Sequence, residues 1–153
     1  YQHGAHLHGG SYAGWLIARM ITNIRLEDRI SSATIRNGVV DWNTFNSTTP
    51  TWRKINRFYE YYNQATVDAT IQYRLEQFGR SIVDPSQVLM VTGVQDRRVP
   101  PESTDAFVHH ENREWDGENV EIIKFTNEGH QFKLLENKIH YTSLSLDKFE
   151  QFE

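Results

Sequence analysis

The sequence has no cysteine among its 153 residues. This excludes disulfides, a thiolate zinc site and a cysteine nucleophile, and it fits a reducing compartment such as the cytoplasm. No apolar run is long enough to cross a membrane, and no stretch reads as a signal peptide. Because the chain starts at Tyr1 rather than methionine, the sequence does not fix where the protein resides. Basic runs are missing too. Lys and Arg number 16 against 20 Asp and Glu, for a formal charge of −4, which argues against a nucleic-acid partner. Repeats and low-complexity linkers are absent. What is present suits one domain over residues 1–153: 38% of the residues are apolar and 12% aromatic, enough for a core.

The most informative stretch is His8-Gly9-Gly10-Ser11-Tyr12-Ala13-Gly14. A serine sits among small residues, after a short apolar run and before an apolar helical pattern. This is the order of a nucleophile elbow: strand, sharp turn, helix, with the hydroxyl at the tip. A Cβ at Gly9 or a bulky group at Ala13 would clash in so tight a turn. The pattern departs from G-x-S-x-G only in having Ala13 before Gly14.

Two further residues complete a hydrolase set. Asp96 lies in Gly93-Val94-Gln95-Asp96-Arg97-Arg98-Val99-Pro100, after the apolar run 88–91. His130 lies in Asn127-Glu128-Gly129-His130-Gln131-Phe132, after the run 120–125. Each therefore follows a strand, at the carboxyl end where open parallel sheets build their sites. Taken singly, Asp96 reads as a turn residue and His130 as a loop histidine. Together with Ser11 they stand in the order Ser, Asp, His, at gaps of 85 and 34 residues, which is the α/β-hydrolase order. The chemistry needs these types. A neutral His130 would take the Ser11 proton and return it to the leaving group. Asp96 would hold the imidazole tautomer and stabilise its charged form. The Tyr12 backbone N–H would be one oxyanion donor.

These segments, with Asn37-Gly38-Val39-Val40-Asp41-Trp42, resemble the C-terminal part of the catalytic domain of the prolyl oligopeptidase family, the serine peptidases that include dipeptidyl and acylaminoacyl peptidases. The resemblance runs along nearly the whole chain and is poorest over residues 43–85. It implies an α/β-hydrolase fold and peptide cleavage by acyl transfer. It also implies a pocket for a small apolar residue such as proline, built from Tyr12, Val39, Trp42, Phe45 and Val99. In many members the second oxyanion donor is a tyrosine hydroxyl from upstream sequence. A carboxylesterase of the same fold uses the same machinery. A second class of reading is a catalytically incompetent fragment or pseudo-enzyme that acts as a binding or assembly partner.

Strands alternate with helices along the chain, which implies a mostly parallel sheet flanked by helices. A first strand ends at His8. A helix covers residues 13–26, with Leu16, Ile17, Met20, Ile21 and Ile24 on its apolar face. A short strand begins at Ala33, residues 43–51 form a loop, and Trp52 to Tyr62 and Ile71 to Phe78 recur at helical spacing. Strands follow at 88–92 and 120–125, with a helix opening on Pro101 between them and a closing helix over 141–152. The first strands of the fold are missing from this account. The expectation is that one sheet edge is bare and that the remainder of the catalytic domain, or another chain, covers it. His6 and His8 would face the same way on a strand. Packing or solvent contacts account for them better than a metal, and the reading contains neither metal nor cofactor. His109 and His110 are read as helix-surface residues.

Overall fold

The computed structural model describes residues 4–40, 81–114 and 120–150. Four strands form one parallel sheet in the order β1-β2-β3-β4: β1 (Ala5–Ser11), β2 (Ile30–Gly38), β3 (Val88–Gly93) and β4 (Glu121–Phe125). Helix α1 (Tyr12–Ile21) follows β1, α2 (Pro101–Glu114) precedes β4, and α3 (Leu135–Glu150) closes the chain. This is the expected mostly parallel α/β sheet with helices around it.

The two faces of the sheet follow from the alternation of side chains along each strand. Val88 and Met90 of β3 join Ile35 of β2, Ile17 and Ile21 of α1 and Phe107 of α2 in one core. Leu89 and Val91 turn the other way, onto Phe132, Phe125, Tyr141 and Leu144 beneath α3. All six residues of β3 are buried, as a parallel strand covered on both faces should be.

Beneath α3 the other end of the sheet is polar. His6 Nδ1 lies 2.6 Å from Ser32 Oγ, and Ser145 Oγ of α3 lies 2.8 Å from Thr34 Oγ1 and 3.2 Å from both His6 Nε2 and His8 Nδ1. His6 packs edge-on to Phe149, and His8 tilts against Tyr141. The two histidines do share a face, and that face packs against α3.

Several boundaries differ from the sequence reading. β1 runs three residues past His8, to Ser11, and β2 is nine residues long. α3 starts six residues before Tyr141. α1 stops at Ile21 because the Ile21 carbonyl accepts bonds from Ile82 N–H and the Ser81 hydroxyl. Thr22 Oγ1 also bonds back to the Ala18 carbonyl. A separate 3-10 turn (Ile24–Leu26) follows. The buried face of α1 is Gly14, Ile17, Ala18 and Ile21; Leu16, Met20 and Ile24 are exposed, which corrects the single apolar face expected of them. His109 is exposed on α2, whereas His110 is only partly so. The loop at 43–51 and the helical spacings from Trp52 to Tyr62 and from Ile71 to Phe78 lie outside the described residues.

Candidate active site

Ser11 ends β1 and caps α1 with φ 55° and ψ −127°, a left-handed backbone that a serine adopts only at a cost. The tightness expected of the turn is there. A Cβ on Gly9 would sit 2.9 Å from Ile17 Cδ1 and 3.1 Å from Ala13 Cβ. The Ser11 carbonyl accepts Val39 N–H at 3.0 Å, tying the turn to the end of β2. α1 begins at Tyr12, so the positive end of its dipole lies at the serine.

Asp96 lies in the turn after β3. Its Oδ1 accepts Arg98 N–H at 2.7 Å and Val99 N–H at 3.0 Å. Its Oδ2 lies 2.8 Å from His130 Nδ1, and because an ionised carboxylate can only accept, Nδ1–H is the donor of that bond. Every bond to this fully buried side chain is one that an ionised carboxylate accepts. Because Nδ1 of His130 is the donor, its Nε2 is an acceptor in the neutral ring, the tautomer a general base needs. Ser11, Asp96 and His130 thus all lie at the carboxyl ends of β1, β3 and β4. Among the described residues, Asp96 and His130 are hydrogen-bonded and no bond joins Ser11 Oγ to His130.

The His130 loop is anchored on two sides. Behind it, Glu128 is 2% exposed, and its carboxylate accepts Lys133 N–H at 2.8 Å, Leu134 N–H at 2.9 Å and Asn137 Nδ2 at 2.9 Å. Burial alone would raise the Glu128 pKa, but these donors and Lys138 outweigh it and hold the pKa below the ordinary value. In front, Arg36 Nη1 donates to the His130 carbonyl at 2.9 Å, and Asn37 Nδ2 donates to the same carbonyl at 2.9 Å. Gly93 lets β3 approach this loop: a Cβ there would sit 2.5 Å from the Gly129 carbonyl oxygen. Reading the sequence missed Arg36, Asn37 and Glu128. The available signal was an Arg-Asn pair at the end of a strand, just before Gly38.

The pocket residues are only partly within view. Tyr12 is half exposed and packs on Trp15 with ring centroids 5.5 Å apart. Val39 and Val99 are 4% and 2% exposed and so offer little surface to a ligand. Trp42 and Phe45 lie outside the described residues. An open cleft of about 360 Å³ beside the histidine is lined by Gln95, Arg97, Arg98, Gly129, His130 and Lys133. Among the described residues no group of His, Asp and Glu side chains gathers to hold a metal, and no helix is long and apolar enough to cross a membrane.

Residues 2–151 match the model of the prolyl oligopeptidase family. No curated protein sequence matches the chain. Among solved structures, the chain is similar to a Mycobacterium tuberculosis puromycin-hydrolyzing peptidase at TM-score 0.78 and 20% identity, covering 96% of this chain and 22% of that one. It is also similar to the Pyrococcus horikoshii acylaminoacyl peptidase at TM-score 0.71 and 15% identity, covering 98% and 24%. At such identities the likeness establishes the fold alone. The chain spans less than a quarter of the length of these structures.

Proposed function

The chain belongs to the prolyl oligopeptidase family, and from that premise we propose that it carries the Ser-Asp-His machinery of a serine peptidase, with Ser11 as nucleophile. His130 Nε2 takes the serine proton and delivers it to the leaving amine. Asp96 keeps Nδ1 protonated and stabilises the imidazolium. The Tyr12 N–H, at the head of α1, is one oxyanion donor. The second comes from outside these residues, as the tyrosine hydroxyl of the resemblance implies. A water then releases the acyl group from Ser11 by the same steps in reverse. The substrate is a peptide. Its acyl-side residue is small and apolar, proline included, and meets Tyr12 with Val39, Trp42, Phe45 and Val99 around or beneath it. The remainder of the catalytic domain, in the same polypeptide or another chain, supplies the rest of the site.

The observation that carries the reading is the Asp96–His130 bond of 2.8 Å at the same carboxyl end of the sheet as the strained turn at Ser11. The test is labelling of the full-length protein with a fluorophosphonate. We expect rapid labelling that is lost in Ser11→Ala and slowed about 10³- to 10⁴-fold in Asp96→Asn, where the tautomer is wrong. Labelling that persists in Ser11→Ala would refute the assignment. Folded protein that never labels would instead favour the binding or assembly role. A higher kcat/KM on esters than on the matching peptides would favour the esterase.

A further inference from the structure

We infer that Asn37, assisted by Arg36, is a positioning residue that holds the His130 imidazole in place by gripping its main chain; the inference rests on the triad proposed above. β1 and β2 pair in register from His6 with Ser32 to Gly10 with Arg36, and then Ser11 pairs with Gly38. Asn37 is the extra residue of a bulge, with φ 46°. Bulges of this kind re-aim a side chain. Here the side chain is 1% exposed and reaches across the strand ends. Its Oδ1 accepts Gly93 N–H at 2.8 Å. Its Nδ2 donates to the Gly129 carbonyl at 3.1 Å and to the His130 carbonyl at 2.9 Å.

The amide orientation is fixed by these partners. Turned over, its oxygen would face two carbonyls and its NH₂ an N–H. One carboxamide therefore spans the end of β2, the end of β3 and the His130 loop. The Asp96 turn starts from the same place: Asp96 N–H bonds to the Gly93 carbonyl at 3.0 Å. Both partners of the Asp96–His130 bond are thus registered on Asn37. Arg36 Nη1 gives the His130 carbonyl a second donor, and its guanidinium lies over Phe132, 5.4 Å from the ring centre. An imidazole is aimed by its main chain as well as by its carboxylate. Releasing that carbonyl lets the ring shift, and a misplacement near 1 Å costs roughly a hundredfold in rate.

Three substitutions in the full-length protein test this. Asn37→Gly keeps the left-handed backbone without a Cβ cost and removes all three bonds. Asn37→Asp keeps the shape but sets a carboxylate oxygen against two carbonyls. Arg36→Met keeps an apolar stem on Phe132 and removes one donor. We expect kcat on a peptide substrate to fall roughly ten- to a hundredfold in both Asn37 variants, with KM within about twofold and a smaller loss in Arg36→Met. The downfield proton resonance of His130 Nδ1–H, identified by its loss in His130→Ala, should weaken in the same order. A merely structural asparagine would lower the melting temperature and leave that resonance and kcat per folded molecule unchanged; this result overturns the inference. If neither Asn37 variant folds, Arg36→Met decides, and an unchanged kcat and resonance overturn it. Activity that survives Ser11→Ala would sink the triad instead, and the resonance still reports whether Asn37 holds the ring.

Discussion

A buried carboxylate needs donors aimed at it, and Glu128 has three from the segment that follows it. Its pKa lies below the ordinary carboxylate value, so the folded state prefers the charged form. The stabilisation is complete above the ordinary pKa and is lost as pH falls through that value toward the lower folded-state one. In Glu128→Gln an NH₂ group replaces one acceptor and meets a donor. We therefore expect a lower melting temperature at neutral pH and a flatter decline on acidification; a parallel decline in both proteins would rule this account out. Glu128 shows where sequence reading reached its limit. Ser11, Asp96 and His130 stand out in the sequence because each lies in a short local motif at the end of a strand. The roles of Glu128 and Asn37 do not, because the partners of Asn37 lie 56 to 93 residues away and those of Glu128 appear only once its loop has folded back.

Between elements, α3 grips the sheet by two different means. Over β3 and β4 the contact is aromatic and aliphatic. Over β1 and β2 it is the hydroxyl of Ser145 between two imidazoles and Thr34. Burial pushes both histidine pKa values down, with His8 adding to the effect at His6 and Arg36 to that at His8. Folding thus favours the neutral rings. This stabilisation is whole above the ordinary value of 6.5 and drains as pH falls below it. The melting temperature of the full-length protein should drop between about pH 7.5 and about pH 5.5, and a His6→Gln, His8→Gln pair should flatten the drop. Equal slopes in both proteins would refute it. The alternation of strands and helices was readable because apolar runs and helical spacing are local signals. The ends of α1 and α3 were not. α1 ends where its last carbonyl is taken by residues 60 positions on, and the first turns of α3 carry the exposed Leu135 and Ile139, which give no core-facing pattern.

At the scale of the whole molecule, β1 pairs on one side with β2 and stands at the edge of the described sheet. Leu16, Met20 and Ile24 lie exposed on and after the helix beside it. Such an edge and such a patch favour association. Expressed alone, the 153 residues should elute from size-exclusion chromatography larger than a monomer, and should elute as a defined complex when the remainder of the catalytic domain is co-expressed. A compact, active monomer would refute this. The contact between Ser145 and His6 has a further consequence, in time. The two residues are 139 positions apart. At roughly 5–20 residues per second, a ribosome needs on the order of 7–28 s to travel between them. Throughout that interval the strand leading to Ser11 waits without the helix that covers its two histidines.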